Sequence, residues 1–156
     1  MPDFKQNIDT IDAGIIHTMR KWALPFGRFA IFVVYFWFGI LKLFSLSPAN
    51  PLVAALLIKI LPGVSFDTFI VALGAFEIML GVIFLIPTLS RLAIFFLFLH
   101  MIMVVMPLIL VPAATWQSFL VPTLEGQYII KNILIVGLAI VIAAHLHPFK
   151  HTKSNA

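Results

Sequence analysis

Residues 92–112, LAIFFLFLHMIMVVMPLILVP, form a long apolar run with one ionisable side chain, His100. A helix needs about 20 apolar residues to cross about 30 Å of hydrocarbon, and this run has that length. Three other stretches have a similar length and composition, and they cover approximately residues 29–46, 66–87 and 127–146. The sequence therefore predicts four transmembrane helices.

The composition of the whole chain also indicates a membrane protein. Of its 156 residues, 62% are hydrophobic and 10% are charged, whereas a soluble domain has about 25% charged residues. The chain has no cysteine, which excludes thiol relays, iron–sulfur clusters and cysteine zinc sites because all of these need thiolates. Most lysines and arginines flank apolar runs, so the net charge of +4 reflects membrane topology and predicts no binding of nucleic acid.

The predicted four-helix transmembrane domain, residues 28–147, has a polar segment on each side. In residues 1–27, apolar side chains recur at spacings of three and four, which predicts an amphipathic cytoplasmic segment that is broken at Pro25. Residues 148–156 are predicted to form a cytoplasmic tail. Between spans one and two, residues 52–61 are apolar but too short to cross a bilayer, so we expect an interfacial or re-entrant helix there.

The distribution of Lys and Arg predicts the orientation of the spans. Cytoplasmic loops carry an excess of these residues. Seven of them fall on one side of the predicted membrane, and Lys59 falls on the other: the seven are Lys5, Arg20, Lys21, Arg28, Arg91, Lys150 and Lys153. Both termini should therefore be cytoplasmic. The short connection between spans two and three makes them antiparallel neighbours, so the predicted fold is an all-α, up-down bundle of four transmembrane helices.

Four ionisable side chains lie within the predicted spans: Lys42, Glu77, His100 and Lys131. At a rise of about 1.5 Å per residue, Glu77 and His100 fall near the middle of the membrane, and the two lysines fall nearer its outer surface. Charges in the hydrocarbon are costly, so they usually face the bundle interior and mark a functional path. We predict that Glu77 and His100 are catalytic residues that handle protons, and that Lys42 and Lys131 bind an anionic substrate or a quinone head group.

Each of these residues also has a simpler structural interpretation. The aliphatic stems of the two lysines would let their ammonium groups reach the membrane surface. Glu77 and His100, at matching depth, could join two helices as a buried pair. Gly74 and Gly81 share a helical face with Glu77 and predict that another helix packs closely there.

A copper site is a further alternative, because His100 is followed by Met101, Met103 and Met106, and imidazole and thioethers suit Cu(I). Only Met103 shares a helical face with His100, whereas Met101 and Met106 project in other directions. Methionine is also a common filler of gaps in cores, so we predict no metal site. Three histidines near the C-terminal end are expected to interact with a helix C-terminus and lipid head groups: His145, His147 and His151.

Several of these segments together resemble the DoxX-like family of small bacterial membrane proteins with four spans. The segments are WFGILKLF (residues 37–44), GAFEIMLGVIFLIP (74–87), SRLAIFF (90–96) and PTLEGQYIIKN (122–132). The recurrent family elements correspond to Gly39, Lys42, Glu77, Gly81 and His100. Relatives are linked to a thiosulfate:quinone oxidoreductase, to maturation of amine-oxidising enzymes and to resistance against oxidative or electrophilic stress. The resemblance implies a four-span fold and a related function.

The leading hypothesis is therefore a multi-pass protein of the bacterial inner membrane that serves a quinone-linked redox or oxidative-stress-resistance system. Quinone is the candidate cofactor, and a redox subunit or a second copy of the chain is the candidate partner besides the lipid bilayer. Whether the chain is the membrane subunit of an oxidoreductase is left open. Two alternatives remain: a transporter of a small solute or proton-coupled anion, and a non-catalytic scaffold that binds a partner subunit through glycine-lined faces.

Overall fold

The computed structural model describes residues 2–147, and their side chains from residue 7 onward. The predicted tail at 148–156, with Lys150, His151 and Lys153, lies outside the described residues, as does the side chain of Lys5. Within the described part of the chain, four helical segments are long and apolar enough to cross a membrane: Asn7–Leu43, Phe66–Phe84, Pro87–Leu110 and Leu124–Ala144. By length and composition, the predicted number of four spans is confirmed. The protein is mainly helical, as is expected of an all-α membrane protein.

Helix α1 (Pro2–Leu43) is continuous through Pro25, so the predicted break at that residue is wrong. Its 42 residues correspond to about 63 Å at the helical rise, roughly twice the thickness of the hydrocarbon. A proline inside a helix removes one hydrogen bond, but helices in membranes tolerate it because neighbouring packing compensates. Close to Pro25, the last span packs on α1 at Gly27, where a Cβ would lie 2.9 Å from the Leu138 side chain.

Helix α2 (Asn50–Ile60) confirms the predicted short helix between the first two spans. Pro51 lies in its first turn, where a missing N–H is tolerated. Leu56 and Leu57 are buried, so one face of α2 packs against the remainder of the protein. The interfacial or re-entrant position of this helix stays a prediction.

Helices α3 (Phe66–Phe84) and α4 (Ser90–Val105) are joined by a 3-10 turn at Pro87–Leu89. The Ser65 hydroxyl accepts a hydrogen bond from the backbone N–H of Thr68 at 3.3 Å and so caps the start of α3. At the far end of α4, Pro107 begins a short helix, α5 (Pro107–Leu110), because its ring cannot continue the preceding hydrogen-bond ladder.

Residues 113–126, between the last two spans, are predicted to form a loop, but the segment contains regular structure. Helix α6 (Pro112–Thr115) leads into a small antiparallel hairpin of β1 (Trp116–Ser118) and β2 (Val121–Pro122). The last span consists of α7 (Leu124–Lys131) and α8 (Ile133–Ala144), which meet at Asn132. A threonine directly before a helical run predicts an N-cap. Thr123 accepts a hydrogen bond from the backbone N–H of Gly126 at 3.1 Å, so this cap is confirmed.

The most extensive helix packing in the described residues is between α1 and α3. Gly39 lies opposite Gly74, and Gly81 lies opposite Phe32 and Phe36. Residue numbers therefore rise along α1 as they fall along α3, so the two helices run antiparallel. A Cβ on Gly39 would lie 2.7 Å from the Gly74 carbonyl oxygen, which is closer than any side chain allows.

A hydrophobic core joins this pair to α4 and α8. Leu80 and Phe84 of α3 are fully buried, as are Leu97 of α4 and Ile142 of α8. The remaining spans therefore pack around the α1–α3 pair.

Candidate functional site

Helices α1, α3 and α4 bring four polar side chains together in the interior of the protein. The exposed fractions are 4% for Tyr35, 5% for Lys42, 6% for Glu77 and 7% for His100. Polar groups buried to this extent are costly unless they contact one another. We call these four residues the buried polar cluster.

The shortest contacts in the buried polar cluster join Lys42 to Glu77. The Lys42 Nζ donates to both carboxylate oxygens of Glu77, at 2.9 Å to Oε1 and 2.7 Å to Oε2. Each charge is neutralised by the other, whereas either one alone would be strongly destabilising in this environment. Because its ammonium points inward to Glu77, Lys42 does not reach the membrane surface, and that simpler interpretation of Lys42 is wrong.

His100 connects the ion pair to a tyrosine. Its Nε2 lies 3.5 Å from Oε1 of Glu77, and its Nδ1 lies 3.1 Å from the hydroxyl of Tyr35. The predicted proximity of Glu77 and His100 is confirmed, although Lys42 is the nearer partner of the carboxylate. The cluster therefore has the order Tyr35, His100, Glu77, Lys42.

Helical spacing and the glycines explain why these side chains meet. Tyr35 and Lys42 are seven residues apart on α1, so they project from the same face. Glu77 lies three residues after Gly74 and four before Gly81, on the face of α3 that packs against α1. Because the glycines bring the two backbones close together, Lys42 reaches the carboxylate of the neighbouring helix.

Tyr35 is the member of the cluster that the sequence reasoning missed. A tyrosine hydroxyl is not ionised near neutral pH, so a selection of charged or readily ionised side chains within the spans does not include Tyr35. The available signal was its spacing of seven residues from Lys42, which places both on one helical face.

An apolar cleft of about 400 Å³ lies beside His100, between α3 and α4. Its walls include Phe69, Phe76, Leu99, Met103 and Met106, and His100 is the one ionisable residue among its lining residues. Ligand sites commonly have a volume of about 300–1,000 Å³, mostly apolar walls and a few polar groups. The cleft has these properties, and we call it the His100 cleft.

The structure does not bring Lys131 into the buried polar cluster. Lys131 is exposed on α7, and its Nζ lies 5.2 Å from the centre of the Tyr128 ring. Among the described residues, no hydrogen bond or ion pair joins it to Lys42, Glu77 or His100. The two predicted substrate-binding lysines thus occupy different environments, and an anion-binding role for either remains a prediction.

The methionines near His100 divide between two environments. Met103 and Met106 line the His100 cleft, whereas Met101 is buried in the hydrophobic core. Met106 was expected to project elsewhere, but it lines the cleft beside Met103. In the part of the chain that the structure describes, no three His, Cys, Asp or Glu residues are grouped as a metal site would require.

His145 and His147 lie at the C-terminal end of α8. The Nδ1 of His145 lies 2.8 Å from the carbonyl oxygen of Val141, which agrees with the predicted interaction at a helix C-terminus. The carbonyl of His147 accepts a hydrogen bond from the guanidinium of Arg91. This contact joins the end of α8 to the start of α4.

A scan against models of known protein families, a search of curated proteins and a search of solved structures each found no match to this chain.

The geometry of the site permits a specific kind of chemistry. An imidazole accepts a proton on one ring nitrogen and releases one from the other, and its ordinary pKa lies near neutral pH. Here one nitrogen of His100 contacts a phenol, the other is near a carboxylate, and the ring borders a cleft. Both ring nitrogens thus face the cluster, so proton transfer to a molecule in the cleft requires the ring to turn one nitrogen toward it.

Proposed function

We propose that this chain is a DoxX-like protein of the bacterial inner membrane that binds a quinone in the His100 cleft. The buried polar cluster then supplies protons to the bound quinone. The observation that carries the proposal is the position of His100, whose imidazole is the single ionisable group in an apolar cleft and contacts Tyr35 and Glu77 behind it.

A quinone fits the chemistry of this cleft better than a polar solute does. Its ring and its hydrocarbon tail suit apolar and aromatic walls such as those formed by Phe69 and Phe76. Its carbonyl oxygens need hydrogen-bond donors, and His100 would meet this need for one of them by turning Nε2 from Glu77, 3.5 Å away, toward the cleft. Reduction to the quinol takes up two electrons and two protons, with the electrons supplied by a partner redox protein.

In this proposal each member of the cluster has a distinct role. His100 contacts the quinone and transfers the proton, and the Tyr35 hydroxyl holds the ring through Nδ1. Glu77 stabilises the imidazolium that forms when His100 is protonated. The Lys42 ammonium, 2.7 Å away, compensates the charge of the Glu77 carboxylate in the apolar interior.

Filling the His100 cleft tests the binding step. Ala72 lines the cleft and is exposed, whereas Ala75 is exposed on the same helix and is not among the cleft's lining residues. We expect Ala72→Trp to weaken binding of a short-chain ubiquinone analogue at least ten-fold, and Ala75→Trp to leave it unchanged. Binding is measured by tryptophan fluorescence quenching in nanodiscs, with each variant calibrated against its own unquenched signal.

Two results would contradict this binding site. One is that the wild-type protein fails to bind the analogue and carries no quinone in its lipid extract. The other is that Ala72→Trp and Ala75→Trp bind it equally well.

The proton step needs a separate measurement. With the quinone analogue bound, dithionite supplies electrons and a membrane-excluded pH dye records proton uptake by stopped flow. We expect His100→Gln to bind the analogue within about three-fold of wild type and to take up protons about 100-fold more slowly, since general acid–base groups commonly contribute 10²–10⁴-fold. Unchanged proton uptake in His100→Gln would remove the histidine from the mechanism.

The two alternative functions make different demands on the structure. A carrier of polar solutes needs a polar path, whereas the His100 cleft has apolar walls apart from one imidazole. A scaffold that binds through glycine-lined faces needs those faces to be free; Gly39, Gly74 and Gly81 are covered by the packing of α1 against α3, whereas the face of α8 at Gly137 meets this need. Proton flux that depends on an added solute, in a protein free of quinone, would favour the carrier.

The proposal includes an up-down bundle with both termini in the cytoplasm. In support, Arg28 contacts Phe84 and Ser90, and Arg91 contacts His147, so these cationic residues gather at one end of the protein. Such an end is expected to face the cytoplasm.

Because the chain has no cysteine, single introduced cysteines test this orientation directly. Thr88→Cys lies in the turn between α3 and α4, and Ser118→Cys lies in the hairpin, and both positions are exposed. We expect a membrane-impermeant maleimide to label Ser118→Cys in spheroplasts, whose inner membrane is intact. Thr88→Cys should be labelled only after the inner membrane is permeabilised. The reverse pattern would contradict the proposed orientation.

A further inference from the structure

A second cleft lies at the opposite end of α3 from the His100 cleft. It has a volume of about 600 Å³ and is formed by α1, the end of α3 and the 3-10 turn. We call it the basic cleft, because three cationic side chains line it together with several apolar ones. The cationic residues are Arg20, Lys21 and Arg28, and the apolar residues include Leu24, Phe29 and Leu85.

The cations of the basic cleft have an ordered arrangement. Lys21 and Arg28 are seven residues apart on α1 and so project from one face, about 10 Å apart along the helix. Arg28 is held in position because its guanidinium donates to the Ser90 hydroxyl at 2.5 Å and to the Phe84 carbonyl oxygen at 3.4 Å. One of the three cations is therefore fixed in place before any ligand binds.

No acidic residue neutralises these cations within the described part of the chain. The ion pairs found there both involve Glu77, and no Asp or Glu is among the residues that line the basic cleft. The positive charge is therefore directed at the cleft without an internal counterion, which favours an anionic ligand.

The cleft also has an apolar side, and this identifies the kind of anion. Leu24 and Phe29 of α1 and Leu85 of α3 line it alongside the cations. Trp22 and Phe26 are 59% and 70% exposed on the same part of α1, as expected where a helix meets the membrane–water interface. A ligand that matches both sides has a phosphate group joined to a hydrocarbon chain.

We propose that the basic cleft binds the head group of an anionic phospholipid, with the phosphodiester between Lys21 and Arg28 and an acyl chain along Phe29 and Leu85. Binding there stabilises the junction of α1 with the α3–α4 turn. This site is independent of the quinone proposal, because it shares no residue with the buried polar cluster or the His100 cleft.

Native mass spectrometry of the full chain in a mild detergent tests the site. Phosphatidylglycerol and phosphatidylcholine with the same acyl chains are titrated in, and the dissociation constant of the first bound lipid is measured for each. We expect the wild type to prefer phosphatidylglycerol. Each basic residue contributes about five-fold to such binding, so Arg20→Gln/Lys21→Gln should lose about 30-fold of this preference. Arg20 and Lys21 are exposed, so the fold should be retained, and thermal unfolding checks this.

Lys59→Gln is the matched control for the single variant Lys21→Gln, because each removes one exposed lysine charge and Lys59 lies on α2, away from the cleft. Equal weakening by these two variants would overturn the proposal, as would an unchanged lipid preference in the double variant. Glycerol 3-phosphate and inorganic phosphate are added as competitors. Displacement of the lipid by either one at millimolar concentration would overturn a lipid site in favour of a soluble phosphate ligand.

Discussion

The packing of α1 against α3 contrasts with the exposure of the last span. In the most apolar stretch of α3, 33% of the residues are buried inside the protein. In the corresponding stretch of Leu124–Ala144, 17% of the residues are buried. A Cβ on Gly74 would lie 2.8 Å from the Gly39 carbonyl oxygen, whereas a Cβ on Gly137 would meet nothing within 4 Å. The sequence places small residues on both helices, but only one of the two faces is used for packing inside the protein.

The difference shows what the glycines of α1 and α3 accomplish. They let the two backbones approach closely, and this approach brings the ammonium of Lys42 to the carboxylate of Glu77. In the last span, where Gly137 has no neighbour, the nearby ionisable residue Lys131 remains exposed. In the α1–α3 pair, close packing and buried charge occur together, because a buried ion pair needs its partner at contact distance.

Removing one side of the ion pair should produce the largest effect on stability. Glu77→Ala leaves the Lys42 ammonium buried without its counterion, and breaking a buried pair in this way costs about 3–5 kcal/mol. The measurement is the free energy of unfolding in detergent. Lys131→Ala, which removes an exposed cation from the last span, should change this free energy by no more than about 0.5 kcal/mol.

A double variant separates loss of charge balance from loss of packing. Lys42→Met/Glu77→Met replaces both charges with apolar side chains of similar length, so most of the lost stability should return. If the double variant is as unstable as Glu77→Ala, the larger loss of stability in α3 than in the last span does not arise from the ion pair.

Adding a methyl group to a glycine in each region should have opposite effects. Gly74→Ala forces a Cβ against the backbone of α1, and overpacking of this kind costs about 1–3 kcal/mol. Gly137→Ala places the methyl group in open space and should stabilise the helix by up to about 1 kcal/mol. Both are measured as midpoints of thermal unfolding in the same detergent. Equal losses in the two variants would mean that α8 is packed as closely as α3.

The smallest expected effect concerns the cap at the start of the last span. Thr123→Ala removes the hydrogen bond to Gly126 and the bond from the threonine hydroxyl to the Ala114 carbonyl oxygen. Loss of an N-cap costs about 1 kcal/mol. Hydrogen exchange should show faster exchange at the start of α7, with α1 and α3 unchanged, and Thr88→Ala in the exposed turn serves as the control.

Much of the helical architecture was accessible from the sequence because it depends on local properties. The length of an apolar run predicts a span, so the four spans and the shorter α2 could be placed. The cap at Thr123 is also local, since it involves a residue only three positions away. Pro25 was misread because a proline breaks an isolated helix, whereas α1 continues through it with Leu138 packed against Gly27.

The candidate site was accessible only in part. Glu77 and His100 were recognised from their depth, because both depths follow from counting residues along a helix. Tyr35 was missed, and the role of Lys42 as the ion-pair partner of Glu77 was not foreseen. The contacts of Tyr35 and Lys42 depend on the rotation of α1 about its axis and on its distance from α3. Apolar residues cover all sides of each helix, so the sequence does not reveal which face packs against the neighbouring helix.

The sequence by itself determined that the chain is mainly helical, how many apolar segments it has and which ionisable residues lie deep within them. These features follow from the cost of exposing apolar side chains to water and of leaving backbone groups unbonded in hydrocarbon. The tertiary structure alone decided that Lys42 pairs with Glu77, that Tyr35 holds His100 and that an apolar cleft opens beside the imidazole. Such contacts join residues from 35 to 65 positions apart, and they form only where packing brings separate helices to within one side chain's reach.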